Sequence, residues 1–128
     1  MKHLLILFVS LFLLSCSETE RDFKNFDFEK WKSDRNGCKG TRMTQKEAIN
    51  QLTETIKGMS QNDFLATFGR PDAQMLNERN IKSYVYYLES GTQCNTEKIT
   101  TPTQAASVAI RFNAVSLAIE VSFQKGNP

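Results

Sequence analysis

Apolar residues run unbroken near the start of this chain, recur every three to four positions through its middle and alternate toward its end. Leu4 to Leu14 is apolar throughout except for Ser10. Ser17 to Asn25 is polar and charged, with no period. Residues 26–34 then mix rings with charges, Phe-Asp-Phe-Glu-Lys-Trp-Lys-Ser-Asp. That mixture fits either a short helix or an extended piece laid on a sheet, and Trp31 packs in both cases.

A helix follows. Thr44 and Glu47 have capping-box spacing, in which each side chain accepts a hydrogen bond from the other's orphaned backbone N–H. Ala48, Ile49, Leu52 and Ile56 fall on one stripe, and Gly58 supplies the stop after Lys57. A second, shorter helix starts at Ser60 as N-cap, with Asp63 in its first turn and Phe64, Leu65 and Phe68 as its buried edge. Gly69, expected in the left-handed region, ends it, and Pro71 blocks continuation. With only Gly58-Met59 between them, the two helices turn sharply. Strand formers dominate thereafter. Tyr84 to Leu88 is one strand, Val108, Ile110 and Phe112 mark a second, and Leu117, Ile119, Val121 and Phe123 a third. Asn113-Ala114-Val115 suits a hairpin, since Asn tolerates positive φ. Glu89 to Ala105, long, polar and containing Pro102, is a loop. The pattern predicts an α+β fold in which two N-terminal helices cover one face of a three-stranded antiparallel sheet, leaving the other face partly wet.

The opening run has the build of a secretory signal: a polar start at Lys2 and His3, an apolar stretch, then small Ser15. It is too short to span a bilayer, which takes about 20 apolar residues. Leu13-Leu14-Ser15-Cys16 resembles the bacterial lipobox. That resemblance implies that residues 1–15 are removed and that Cys16 is acylated, becoming the anchor. The expected organisation is a signal peptide over 1–15, a lipidated tether over 16–25 and one folded domain over 26–128. Ser17 resembles the residue that directs lipoproteins to the outer membrane. Glu18 and Glu20 loosely resemble the acidic signals of some surface-exposed lipoproteins. Both imply the outer membrane, with the periplasmic face ahead of the cell surface.

Loss of Lys2 with the signal leaves 15 Lys+Arg against 14 Asp+Glu in the remaining 113 residues. Such balance gives no basic stripe for nucleic acid. His3 is the only histidine and leaves with the signal. The mature chain then lacks the imidazole of a Ser-His or Cys-His pair and of a zinc or copper site. No metal, no cofactor and no catalytic activity are expected. Asp27, Glu29 and Asp34 cluster in sequence, a grouping that usually marks a solvated face. Cys38 and Cys94 remain, either as a disulfide or as two free buried thiols. Both sit in Gly/Asn-bearing stretches accessible to an oxidant, which favours the bridge in an exported chain. Closing a loop of about 57 residues contributes roughly 4 kcal/mol in the chain-entropy account.

The segment Gly58-Met59-Ser60-Gln-Asn-Asp-Phe64-Leu65-Ala-Thr-Phe68-Gly69-Arg70-Pro71 resembles the signature of the SmpA/OmlA (BamE-like) lipoprotein domain. Tyr84-Val-Tyr-Tyr resembles its aromatic strand, and Ile110-Arg-Phe112 with Ile119-Glu-Val121 its closing pair. The likeness covers about residues 44 to 123. It implies an ααβββ fold and a non-enzymatic envelope protein; the best-known member is an accessory subunit of the β-barrel assembly machine, and related folds inhibit secreted β-lactamases. The aromatic segment from Phe26 to Trp31, the two extra cysteines and the long loop after Glu89 depart from that pattern.

Two functions follow as expectations. The first is a lipid-anchored interaction module that binds an envelope protein or lipid head groups through the uncovered sheet face. Neighbouring strand residues face opposite sides, so Tyr86 and Tyr87 cannot share one core. Tyr84, Tyr86 and Tyr87 are therefore the candidate interaction face, tyrosine being favoured at interfaces. The alternative for a tyrosine is cover by the segment from Phe26 to Trp31. The second function is a periplasmic inhibitor or immunity-type binder of a secreted enzyme, with the disulfide and long loop supplying a rigid contact.

Overall fold

Rings, rather than a free tether, lead the chain into its domain. The structure, a computed structural model, describes residues 20–95 and 102–127. Cys16 and the signal segment lie outside the described residues. Arg21 donates to the Thr55 carbonyl at 2.8 Å, and the Thr55 hydroxyl donates to the Asp22 carbonyl at 3.2 Å. Phe23 packs edge-on against Phe28, with centroids 5.3 Å apart, and against Phe68 at 6.0 Å. The segment expected to be tether up to residue 25 is thus docked from Arg21 onward.

Residues 26–34 resolve as a helix, α1 (Phe28–Ser33). Asp27 caps it by accepting from the Lys30 backbone N–H at 3.0 Å, which satisfies one of the orphan donors of the first turn. Trp31 is its buried residue. Short 3₁₀ turns at Arg35–Gly37 and Arg42–Gln45 lead to α2 (Lys46–Gln51) and α3 (Thr53–Ile56). The single helix expected from Thr44 to Lys57 is therefore broken. Leu52 sits at φ −88°, ψ 1°, and the Thr53 hydroxyl donates back to the Asn50 carbonyl at 2.8 Å, competing with the helical bond. The Thr44–Glu47 capping box does not form: the Thr44 hydroxyl donates to the Thr41 carbonyl instead, and Ala48 is exposed. Ile49, Leu52 and Ile56 are buried as the stripe requires.

The following helix, α4 (Gln61–Phe68), matches its sequence signals. The Ser60 hydroxyl accepts from the Asp63 N–H at 3.1 Å, and Gly69 ends the helix at φ 83°, ψ −179°. That pair of angles lies in the mirror-image extended region open only to glycine, not in the left-handed helical one. Phe64 and Phe68, one turn apart, stack with centroids 4.6 Å apart.

Four strands, not three, make the sheet: β1 (Ala73–Leu76), β2 (Lys82–Tyr87), β3 (Ala106–Phe112) and β4 (Ala118–Lys125), antiparallel and in sequential order. With four α-helices among the described residues, the α+β class stands, but the expected two helices on three strands is corrected on both counts. β1 escapes periodicity because Ala-Gln-Met-Leu holds no β-branched or aromatic residue. Pairing with β2 makes it a strand, through a turn in which Asn77 Oδ1 accepts from the N–H groups of Arg79 and Ile81 and Asn80 takes φ 57°. In the other hairpin Asn113 Oδ1 accepts from the Val115 and Leu117 N–H groups, and Ser116, not Asn113, carries the positive φ of 63°.

The helices lay Trp31, Ile49, Leu52, Ile56, Phe64 and Phe68 on one face of the sheet, against Tyr84, Tyr86, Val108, Ile110 and Phe112. A smaller cluster of Val85, Tyr87, Ala105 and Ala109 forms on the opposite face. No helix among the described residues is long and apolar enough to cross a membrane.

The stop after α4 gives a direct test. A Cβ on Gly69 would enter a backbone region closed to other residues and meet Lys32 Cγ at 3.2 Å. Gly69→Val is expected to destabilise the domain by about 2 kcal/mol in urea unfolding. Asn62→Ala, in the exposed first turn of α4, should shift stability by less than about 0.5 kcal/mol.

Candidate functional site

All three tyrosines of the chain lie on β2, and all three are buried. Tyr84 and Tyr86 pair across to Ile110 and Val108 on the helix-covered face. Tyr87, pointing the other way, joins the small cluster with Val85 and Ala109. Alternation thus separates Tyr86 from Tyr87 as expected, but neither is left at the surface. Their hydroxyls are used inside the protein: Tyr86 donates to the Gly69 carbonyl at 2.7 Å, Tyr87 donates to Asn127 Oδ1 at 2.6 Å, and Tyr84 accepts from Gln61 Nε2. The Trp31 ring covers Tyr86 at 5.7 Å. Tyr84, Tyr86 and Tyr87 are core and not an interaction face, because helices cover two of them and the segment around Ala105 packs beside the third.

Sequence pattern gave no hint of the buried charges at one end of β2. Arg42 and Asp72 form an ion pair at 2.5 Å with both side chains sealed from solvent. The guanidinium also donates to the Trp31 carbonyl at 2.9 Å and the Tyr87 carbonyl at 3.3 Å, and lies 4.9 Å from the centre of the Trp31 ring. Asp72 accepts the backbone N–H groups of Asn36 and Tyr87 at 3.0 and 2.9 Å. Asp34, also buried, accepts those of Lys39 and Arg42 at 2.8 and 3.0 Å. An arginine in one turn and aspartates in two others carry no periodic signal, so only the folded chain shows them together. Asp27, Glu29 and Asp34 do not form a carboxylate pair: Asp27 caps α1, Glu29 faces solvent and Asp34 holds backbone N–H groups.

The two remaining cysteines are joined. Cys38 and Cys94 form a disulfide with Cα atoms 5.7 Å apart, tying the turn after α1 to the 3₁₀ turn Thr92–Cys94 in the loop after β2. Gln93 reinforces this tie by donating to the carbonyls of Asn36 and Glu89 at 3.0 and 2.8 Å. Beside it, Gly37 at φ 67° fits where a Cβ would meet the Tyr87 carbonyl oxygen at 2.5 Å.

Two surface features remain. A shallow cavity of about 250 Å³ lies between the entry segment and α2, lined by Phe23, Lys24, Phe26, Lys30 and Gln45 among others. Among the described residues the exposed large apolar side chains are Val115 at 73%, Leu76 at 63%, Ile119 at 39% and Leu117 at 38%. No group of three His, Cys, Asp or Glu side chains able to hold a metal ion occurs among the described residues. No protein-family model, curated protein or solved structure matches this chain. The residues from Gly58 to Pro71 fold as turn, cap, helix and stop.

Arg42→Met leaves the buried Asp72 carboxylate with only the half-exposed Arg35, 3.6 Å away, as counter-charge, and should lower stability by about 3 kcal/mol. Adding Asp72→Asn removes the charge and keeps an acceptor for only one of the Asn36 and Tyr87 N–H groups, which bond to different oxygens of the carboxylate. The double variant is therefore expected to regain part, but not all, of that loss in urea unfolding. A second outcome concerns alkaline pH. Burial raises the pKa of all three tyrosines above the usual value near 10, with the Gln61 and Asn127 contacts opposing it at Tyr84 and Tyr87. The folded protein therefore keeps protons that the unfolded chain loses, so stability is intact below about pH 10 and falls as pH rises beyond it. Tyrosinate absorbance should appear together with loss of the folded circular dichroism signal, not ahead of it.

Proposed function

We propose that this chain is a lipid-anchored protein of the bacterial envelope, held in the outer membrane through Cys16, that works by binding another protein along the edge of β4. The edge itself carries this reading. β4 is eight residues long and ends the sheet. Among the described residues its outer backbone is hydrogen-bonded only near Leu117 and Ala118, by a bridge to Ser60 and hydrogen bonds with Gly58 and Met59. Natural edges of this length are usually blunted by proline, by runs of charge or by a covering segment. Ala-Ile-Glu-Val-Ser-Phe-Gln-Lys has no proline and few charges. An extended segment of a partner adds to such an edge through main-chain hydrogen bonds, and alternate side chains supply specificity.

Export supports the envelope setting. A disulfide suits an oxidising compartment, and the lipobox-like Leu13 to Cys16 supplies the anchor. The second function, an inhibitor of a secreted enzyme, draws on one observation. The described start of the loop after β2 is held by the disulfide and by Gln93, which also accepts from the Thr103 hydroxyl.

Cys16→Ala should release soluble protein or leave uncleaved precursor; a variant still membrane-bound with its signal removed would refute the anchor. Photoreactive groups placed along β4, with one at Asn62 on α4 as control, test the edge in intact cells. Crosslinks to one envelope protein from β4 alone support binding there, and a hydrolase as that partner favours the inhibitor. Equal crosslinking from both positions, or none from β4, counts against the edge.

A further inference from the structure

We infer that the hairpin end of the sheet, where Val115, Leu117 and Ile119 project with Leu76 across from them, rests on a lipid surface. This inference builds on the reading of Cys16 as acylated and adds an orientation for the domain.

Register brings these residues to one end. Leu76 pairs with Lys82 at the start of β2, Ser83 pairs with Arg111 near the end of β3, and Phe112 pairs with Ala118 at the start of β4. Both hairpin turns therefore leave the same end of the sheet, their centres about 10 Å apart across two strand spacings. Single exposed apolar residues are ordinary, but four gathered at one end of so small a domain mark a contact.

The chain also enters at this end. Arg21 donates to the Thr55 and Lys57 carbonyls and lies 4.0 Å from where a Gly58 Cβ would stand. Gly58 donates to the Ala118 carbonyl at 2.7 Å, and Gln61 donates to that of Ser116 at 2.9 Å. The first docked residue is thus beside the apolar hairpin. Cys16 precedes Arg21 by five residues, a span of at most about 18 Å even fully extended. That reach is short against the roughly 30 Å breadth of a domain of this size. Acyl chains on Cys16 would hold this end, and no other, next to the bilayer.

Charge agrees with the placement. Arg79 and Lys82 flank the β1–β2 turn without an ion pair among the described residues, Glu78 being the acidic neighbour on that turn. Arg111 is already engaged by Glu120 at 2.5 Å. Free cations at an apolar tip suit anionic head groups, while the apolar side chains sink into the boundary above the acyl region.

Tryptophan reporters test this in the full chain. Val115→Trp, Leu117→Trp and Lys39→Trp variants, each shown by mass spectrometry to be acylated at Cys16, are placed in vesicles of phosphatidylethanolamine and phosphatidylglycerol with brominated acyl chains. Emission from buried Trp31 in the parent protein sets the background. Positions 115 and 117 are expected to lose about half their emission, since bromine quenches at the depth where interfacial side chains sit. Lys39→Trp, near the disulfide at the other end, should keep its emission. Acylated variants unquenched at both 115 and 117 overturn the docking and leave the anchor standing. The same result with crosslinks between copies at Val115 assigns the tip to self-association and also overturns it. A chain found without acyl groups on Cys16 refutes the anchor and removes the basis for the docking.

Discussion

The Arg42–Asp72 pair is the interaction on which the arrangement of this domain depends. Its groups come from five places: α1, the turn after it, the 3₁₀ turn before α2, the segment joining α4 to β1, and the end of β2. A buried ion pair is a weak source of net stability, because removing both charges from water offsets much of their attraction. Its leverage is geometric. Asp72 accepts three hydrogen bonds and Arg42 donates to two carbonyls, so the pair is fully satisfied only when all five segments are in place. Asp34 extends the same logic by anchoring the backbone of Lys39 and Arg42 itself. An apolar cluster tolerates sliding, but a sealed carboxylate with defined donors does not.

Around that pair the core is built mainly from rings. Phe26, Phe28 and Phe64 surround Phe68 at centroid distances of 4.6 to 5.8 Å, and Trp31, Phe64 and Arg42 surround Tyr86. The segment from Phe26 to Trp31 is therefore not an appendage to a two-helix domain. It closes the hydrophobic layer that α4 and the sheet leave open, and burial of the Tyr86 hydroxyl against the Gly69 carbonyl depends on it. This explains the burial of Tyr86, while Tyr87, on the opposite face, is covered beside Ala105.

Legibility from sequence followed the range of the interactions. Ser60, Gly69 and Pro71 act within one helix, and their roles were readable from spacing alone; so were the alternating strands β2, β3 and β4. Thr44 and Glu47 had the right spacing for a cap but lost to a local 3₁₀ turn, a contest between two short-range patterns of similar energy. β1 was invisible because its partner, not its composition, makes it a strand. The tyrosines failed for a further reason: alternation says which side a residue faces, but not what lies on that side. Asp34, Arg42 and Asp72 lay beyond any periodic reading, since what unites them is a sealed space that exists only after folding.

These features divide the sheet into two unlike ends. At the end where β2 meets Gly37 and the Cys38–Cys94 bridge, covalent, ionic and backbone constraints converge, and a single methyl group has no room. At the other end lie two polar turns, four exposed apolar side chains and the point where the chain enters. Constraint gathered at one end leaves the other free to be shaped by contact instead of by packing. The free edge of β4 runs from the open end toward the fixed one. A partner strand added there would meet a rigid backbone along most of its length, which limits the entropy lost on association. On the proposed reading, one end would meet the membrane surface and one edge a partner, while the remaining end holds the shape of the domain.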